Sequence, residues 1–190
     1  MHDSFAALLT QPTARRYKQV RSQLLAASAL GDFSLRLASL DRALQENDLE
    51  FAQESVEALF PSGLLSLRLH RLGGELALRT NNRLAEPTRA EASRAELHRF
   101  TYDALTTAIT ATGDGTRRRP LLITYTSDAV EILATRGFRV VSQSLVEDRA
   151  RRLDVLLTDQ EREFWFDVTD LLPKTALLVP RKKRNMVGSR

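Results

Sequence analysis

The stretch Ala111-Thr112-Gly113-Asp114-Gly115-Thr116, followed closely by Pro120, separates two halves of the chain with different residue patterns. Before it, apolar residues recur at the three- and four-residue spacing of helices, and after Pro120 the period changes to two, as in strands. A glycine followed by Asp-Gly is typical of a helix end and a turn. The sequence therefore predicts an α+β fold, with a helical region over 1–112 and a small β-rich region over 113–172 packed on it.

Short turns divide the helical region into amphipathic segments. Pro12-Thr13 is a suitable start for the first segment, and Pro61 with Gly63 after it predicts the end of the third. We read Asn81-Asn82 as a turn before the last segment. The pattern predicts antiparallel helices over about 13–27, 35–46, 49–59, 65–78 and 89–111.

A possible repeat links two of these turns. Asn47-Asp48 and Asn81-Asn82 lie 34 residues apart, which is the period of the tetratricopeptide helix-turn-helix repeat. Leu72, Gly73, Ala85 and Ala92 have the spacing of its packing positions, whereas the earlier copy has no glycine at the place that matches Gly73. We therefore expect a tetratricopeptide-like layer, and another antiparallel helical arrangement stays open.

Four strands and one short helix are predicted in the β-rich region. A first strand follows Pro120, and Asp128 with Glu131 three residues later resembles a capping box, which predicts a helix ending at Gly137. Three alternating runs follow, separated by polar turns, over 138–146, 152–158 and 162–168. This spacing is typical of an antiparallel meander, so we expect a small, mostly antiparallel four-stranded sheet. The direction of the first strand stays open.

The order of several short motifs resembles the bacterial domain-of-unknown-function family numbered 4919. The resemblance covers about residues 95–170 and rests on Leu97-His98-Arg99-Phe100, the 111–116 turn, Ser142–Val146 and Phe164–Val168. It implies a helical segment leading through the turn into a small β region that a closing aromatic strand completes. It implies no activity, cofactor or catalytic residue.

Basic charge is concentrated at the C-terminal end of the chain. The formal net charge is +4, but residues 171–190 hold six Lys or Arg and no acid, so 1–170 has 22 basic against 24 acidic residues. We expect 173–190 to be a basic, flexible tail. Four of its residues could contact the phosphate backbone of a nucleic acid or another polyanion: Arg181, Lys182, Lys183 and Arg184.

The residues needed for several kinds of chemistry are missing. The chain has no cysteine and three histidines, and it contains neither a P-loop motif nor a His-x-x-x-His pair. We therefore expect no metal, no cofactor and no catalytic residue. A hydrolase using carboxylates is one alternative, provided that these acids converge in space: Asp103, Asp114, Asp128, Asp154 and Asp167.

Trp165 is the one candidate binding residue in the predicted sheet. Strand alternation places Phe164, Phe166 and Val168 on one face and Trp165 on the other. If that second face is exposed, Trp165 is a candidate anchor for a partner; if the sheet is covered there, Trp165 is buried.

These observations lead to one functional prediction with two alternatives. Stacked helix pairs with no catalytic constellation favour a non-enzymatic protein-interaction module whose partner is another protein. The alternatives are a polyanion or nucleic-acid binder using the tail, and the carboxylate hydrolase. The N-terminus lacks the features of a signal peptide and no apolar run is long enough for a membrane span, so we expect a cytoplasmic protein.

Overall fold

A computed structural model describes residues 2–27, 33–84, 86 and 88–171, and it confirms the α+β fold. Within these residues, six helices precede the small sheet: α1 (His2–Thr10), α2 (Ala14–Ala26), α3 (Phe33–Glu46), α4 (Leu49–Gly63), α5 (Leu67–Arg83) and α6 (Arg89–Thr110). Short polar side chains cap several of them by accepting a hydrogen bond from the first-turn backbone. These N-cap residues are Thr13, Asp48, Ser66 and Thr88.

The helices differ from the predicted ones at three places. Helix α1 occupies a stretch in which the sequence pattern predicts no element. Pro61 does not stop α4, which continues to Gly63, because Pro61 is already in the last turn and the carbonyl that it leaves without a donor belongs to Glu57, an exposed residue. Asn81-Asn82 is not a turn, since both residues are inside α5.

The position of Asn81 also affects the predicted repeat. Asn47-Asp48 is a true turn between α3 and α4, with Asn47 at a φ of 62°. Asn81 instead uses its side-chain oxygen, from within α5, to accept a hydrogen bond from the Thr88 N–H at 2.8 Å. The two asparagine pairs are therefore not equivalent turns, and the tetratricopeptide-like layer stays a prediction.

The described residues after the dividing turn form a four-stranded sheet and one short helix, as predicted. These elements are β1 (Leu121–Leu122), α7 (Thr126–Thr135), β2 (Val140–Asp148), β3 (Arg151–Thr158) and β4 (Glu163–Asp167). The strand order is β1-β4-β3-β2. The two later pairs are antiparallel, and β1 lies parallel to β4, which settles the direction of the first strand.

The helices and the sheet share one apolar core. Leu156, Phe164 and Phe166 bring the inner face of the sheet into the same buried cluster as the helical leucines. Polar contacts add to the join: the Tyr17 and Thr124 hydroxyls are hydrogen-bonded at 2.7 Å, and Arg21 Nε donates to the Ile123 carbonyl at 2.9 Å.

Asp128 connects α7 to α5 at a fully buried position. It is the third residue of α7 rather than its first, and its Oδ2 accepts a hydrogen bond from the Tyr125 N–H at 3.2 Å. Its Oδ1 accepts another from the Leu67 N–H, at the start of α5, at 3.0 Å. Burial raises the pKa of the Asp128 carboxyl, and these two hydrogen bonds oppose that rise.

The turn that divides the sequence also divides the structure. Helix α6 ends at Thr110 and β1 begins at Leu121. Gly113 is packed so tightly against the carbonyls of Arg119 and Pro120 that a side chain would collide with them, and Gly115 has a φ of +81°. The glycines of the motif are therefore required by backbone geometry.

None of the helices in the described part of the chain is both long enough and apolar enough to cross a membrane.

Candidate functional site

An open cleft of about 610 Å³ lies between α5 and the N-terminal half of α6. We call it the α5–α6 cleft, and its lining residues are His70, Arg71, Gly74, Glu75, Leu78, Asn81, Ala92, Ala95, Glu96, Arg99 and Tyr102. This volume is within the range of pockets that hold organic ligands or single anchoring side chains.

Small residues keep the middle of the cleft open. On α5, Gly74 follows His70 by four residues and precedes Leu78 by four, so the three share one face of the helix. Ala92 and Ala95 face them from α6. Leu78 is 55% exposed, which is high for a leucine beside a concave surface. The cleft therefore offers uncovered apolar surface between two helices.

Two histidines connect α5 and α6 beside this cleft. The Nε2 atom of His70 is 3.1 Å from the Leu64 carbonyl, which can only accept, so Nε2 carries the proton. The Nδ1 atom of neutral His70 is then an acceptor, and His98 Nδ1 donates to it at 3.1 Å. Both imidazoles are thus engaged in holding the helices together.

Burial keeps both imidazoles uncharged at neutral pH. It lowers the pKa of His70 to about 4 and also lowers the pKa of His98. The His98 ring lies over Gly73, where an added Cβ would be only 2.5 Å from its Cε1 atom. Phe60 meets both rings edge-on, at centroid distances of 6.1 and 6.3 Å. These contacts are those of a packed helix junction.

Ion pairs fix the polar end of the cleft. Arg71 Nε is 3.1 Å from both carboxylate oxygens of Glu131, and Arg71 Nη1 is 3.6 Å from Glu75. Tyr102 lies close to this group, and burial raises the pKa of its hydroxyl to about 12, helped by Glu131. The tyrosine therefore stays protonated and able to donate a hydrogen bond at neutral pH.

Two charged side chains at the cleft are not paired in this way. Arg99 and Glu96 are exposed on α6, and neither has an ion-pair partner among the residues that the structure describes. They flank the apolar middle formed by Gly74, Leu78 and Ala95. An apolar centre with a charged rim is the usual arrangement of a protein recognition surface.

Trp165 is half-buried. The sequence left open whether this side chain is exposed or buried, and the structure lies between the two. Its backbone N–H donates to the Gly115 carbonyl at 2.9 Å, which ties β4 to the dividing turn. The guanidinium carbon of Arg117 lies 5.5 Å from the centre of its ring. Trp165 thus contributes to a basic, partly exposed surface distant in sequence from the cleft.

The other predicted binding residues lie outside the described residues. Arg181, Lys182, Lys183 and Arg184 all belong to the segment after residue 171. Their role in binding a polyanion stays a prediction.

The five acids considered for hydrolysis have separate surroundings. Asp103 is exposed on α6, Asp114 is bonded to Thr116, and Asp128 is bonded to two backbone N–H groups. Asp154 accepts from Gln143 at 2.6 Å on one face of the sheet, and Asp167 accepts from Thr169 on the other. Within the described residues, no three His, Asp or Glu side chains are grouped as metal ligands.

The α5–α6 cleft has only a weak sequence signal. The adjacent glycines Gly73-Gly74 in a helix, opposite the alanine positions Ala92 and Ala95, indicate a place where two helices either touch or leave a gap. Which of the two occurs depends on His98, whose ring fills the space over Gly73, whereas a Cβ added at Gly74 would make only ordinary contacts, at 3.5 Å or more.

Comparison with known proteins adds no family to this description. No protein-family model, no curated protein sequence and no solved structure matches the chain. The resemblance to family 4919 stays a prediction, and the candidate site rests on its own geometry.

Proposed function

We propose that the protein is a non-enzymatic interaction module that binds a short segment of another protein in the α5–α6 cleft. The observation that carries this proposal is the uncovered apolar surface of Leu78, Gly74 and Ala95 between two helices. A cytoplasmic location, expected from the sequence, is part of the proposal.

The shape and charge of the cleft favour a peptide segment as the ligand. The lining runs from His70 to Asn81 along α5, which is about 16 Å at the rise of an α-helix. Such a length suits one or two anchoring side chains of a partner, with an apolar group over Gly74 and Leu78. Arg99 lies beyond them without a carboxylate of its own, so it suits an acidic group of the same segment.

The state of His70 favours binding over catalysis at this nitrogen pair. His70 donates to a backbone carbonyl and accepts from His98, so its imidazole has no free nitrogen for proton transfer. Tyr102 has a raised pKa, which makes it a donor rather than a base or nucleophile at neutral pH. These groups can orient a ligand without reacting with it.

The experiment compares partner capture by variants that differ at the cleft. Ala95→Trp places a large side chain in the cleft, and Ala90→Trp places the same side chain at an exposed position of α6 that does not line it. Each tagged variant is incubated with lysate of the source cells, and the bound proteins are identified by mass spectrometry.

We expect one set of partners to be captured by the wild-type protein and by Ala90→Trp, and lost with Ala95→Trp. Charge reversal gives a second pair, with Arg99→Glu weakening capture and the exposed Arg89→Glu leaving it intact. Equal capture by Ala95→Trp and Ala90→Trp, both folded by circular dichroism, would contradict the proposal.

A further inference from the structure

Four arginines from two distant segments line a second open cavity, of about 400 Å³. Arg117 and Arg118 come from the turn before β1, and Arg149 and Arg151 come from the β2–β3 hairpin. Among the described residues that line this cavity, Asp148 is the one acid. We call this group the arginine cluster.

The charges within the arginine cluster do not cancel. Asp148 Oδ2 is shared by Arg117 Nε at 3.2 Å and Arg151 Nη2 at 3.3 Å, and Arg117 lowers the pKa of this carboxyl. Arg118 and Arg149 have no ion-pair partner among the residues that the structure describes. Four positive charges against one negative leave a local charge of +3 around a concave surface. Like charges held this close favour an anionic ligand.

Arg149 occupies a backbone position that arginine rarely adopts. Its φ is +59°, in the left-handed region, within the two-residue turn between Asp148 and Arg151. Glycine or asparagine would fit there with less strain. The chain thus carries a guanidinium at a position where the turn alone favours another residue.

An aromatic surface adjoins the arginine cluster. Arg117 lies over the ring of Trp165, which is half-buried and therefore keeps part of its surface accessible. Aromatic rings beside arginines are typical of sites that bind single-stranded nucleic acid, because bases stack on the ring while phosphates pair with the guanidinium groups.

The described part of the chain ends at this same end of the sheet. The Val168 N–H donates to the carbonyl of Arg152, the neighbour of Arg151, and the Leu171 N–H donates to Val168. These two bonds place the backbone of Leu171 near the start of β3, where Arg151 lies.

We propose that the arginine cluster, with Trp165 beside it, is a binding site for the phosphate backbone of single-stranded nucleic acid. Arg118 and Arg149 bind phosphates directly, because no carboxylate occupies them. Arg117 and Arg151 are held in place by Asp148 and supply the wall of the cavity. This site is separate from the α5–α6 cleft and does not depend on the function proposed for it.

Binding is measured with the full-length protein and a fluorescein-labelled oligothymidylate, by fluorescence anisotropy over a series of salt concentrations. The test variant is Arg118→Gln/Arg149→Gly, which breaks none of the ion pairs described and gives the turn a residue suited to positive φ. The matched control is Arg36→Gln/Arg42→Gln, two exposed arginines of α3 with the same loss of charge. Thermal unfolding of each protein checks that it is folded.

We expect the wild-type protein and the α3 control to bind, and the test variant to bind at least about tenfold more weakly at low salt. The slope of log affinity against log salt concentration should be smaller by about 1.4 for the test variant. Two phosphate contacts are lost, and each contact on a single strand contributes about 0.7 to this slope. Unlabelled oligothymidylate should change the emission of Trp165, the one tryptophan of the chain.

Three results would overturn this proposal. The first is equal binding by the test variant and the α3 control. The second is binding that disappears only when the tail residues Arg181 to Arg184 are changed to glutamine. The third is binding to phosphatidylserine vesicles or to a phosphoserine peptide with none to the oligothymidylate, which would assign the cluster to another class of partner.

Discussion

His98 donates a hydrogen bond from its Nδ1 atom to the Nδ1 atom of His70, 3.1 Å away, across the junction of α5 and α6. Because His70 uses its other nitrogen to donate to the Leu64 carbonyl, this single tautomer links three helical segments. The bond requires His70 to be uncharged, and the junction borders the α5–α6 cleft. The packing of α5 on α6 beside the cleft therefore depends on the protonation state of His70.

The stability of the protein should depend on pH through His70. Its pKa is about 4 when folded and 6.5 in an unfolded chain, so between these values the unfolded state binds more protons. The contribution is complete above pH 6.5 and is lost as the pH falls toward 4, by up to about 1.4 kcal/mol per pH unit. His98 acts in the same direction.

The variant His70→Gln should reduce this dependence, because glutamine does not titrate and can still donate to the Leu64 carbonyl. Urea unfolding over this pH range measures the free energy of unfolding of both proteins. The same slope in the wild-type protein and in His70→Gln would show that His70 is not the titrating group.

Substitution of Gly73 by alanine should destabilise the helix junction. The new Cβ would collide with the His98 ring, which is held by His70 and Phe60 and cannot move away freely. We expect a loss of about 1–3 kcal/mol in the free energy of unfolding, as for other overpacked sites. Gly74→Ala is the matched control, since its Cβ would be 3.5 Å from His98 and in ordinary contact. Equal effects of the two substitutions would argue against this packing.

Removal of the Asp128 carboxylate should weaken the join between α7 and α5. The backbone N–H groups of Leu67 and Tyr125 would lose their acceptor in a buried place. We expect Asp128→Ala to lower the free energy of unfolding by about 2–4 kcal/mol. In contrast, Asp103→Ala on the exposed side of α6 should change it by less than about 0.5 kcal/mol. A mild effect of Asp128→Ala in urea unfolding would contradict the structural role assigned to this residue.

Arg117 should control the fluorescence of Trp165. Its guanidinium covers part of the ring, so Arg117→Ala should expose the ring to water and shift its emission to longer wavelength. The ion pair with Asp148 is solvent-exposed, and its loss should cost less than about 1 kcal/mol. The measurement is the emission spectrum of the folded variant, and an unchanged spectrum would show that Arg117 does not cover the ring in solution.

Local signals in the sequence predicted much of the fold. The cap Thr13 and the alternation along β2, β3 and β4 each depend on residues a few positions apart, so they can be recognised without a structure. The turn predicted at Asn81-Asn82 is wrong, because asparagine also fits inside a helix when its side chain accepts a hydrogen bond from a later residue, here Thr88.

The candidate sites could not be predicted in the same way. The contact of His70 with His98 spans 28 residues, and Asp128 reaches Leu67 across 61. The arginine cluster needs a hairpin and a turn to meet at one end of the sheet. Such sites exist only after the helices and strands have packed, and no spacing in the sequence records which of them become neighbours.

Site-specific photocrosslinking at Leu78 tests the central claim most directly. The photoreactive residue p-benzoylphenylalanine is placed at position 78, within the α5–α6 cleft, and in a second protein at position 35, a leucine of α3 that is more exposed than Leu78 and does not line the cleft. We predict that position 78 crosslinks to one defined segment of a partner protein, that position 35 does not, and that Ala95→Trp abolishes the crosslink. The absence of a crosslink at position 78, or the same products from both positions, would contradict the assignment of the cleft as a binding site.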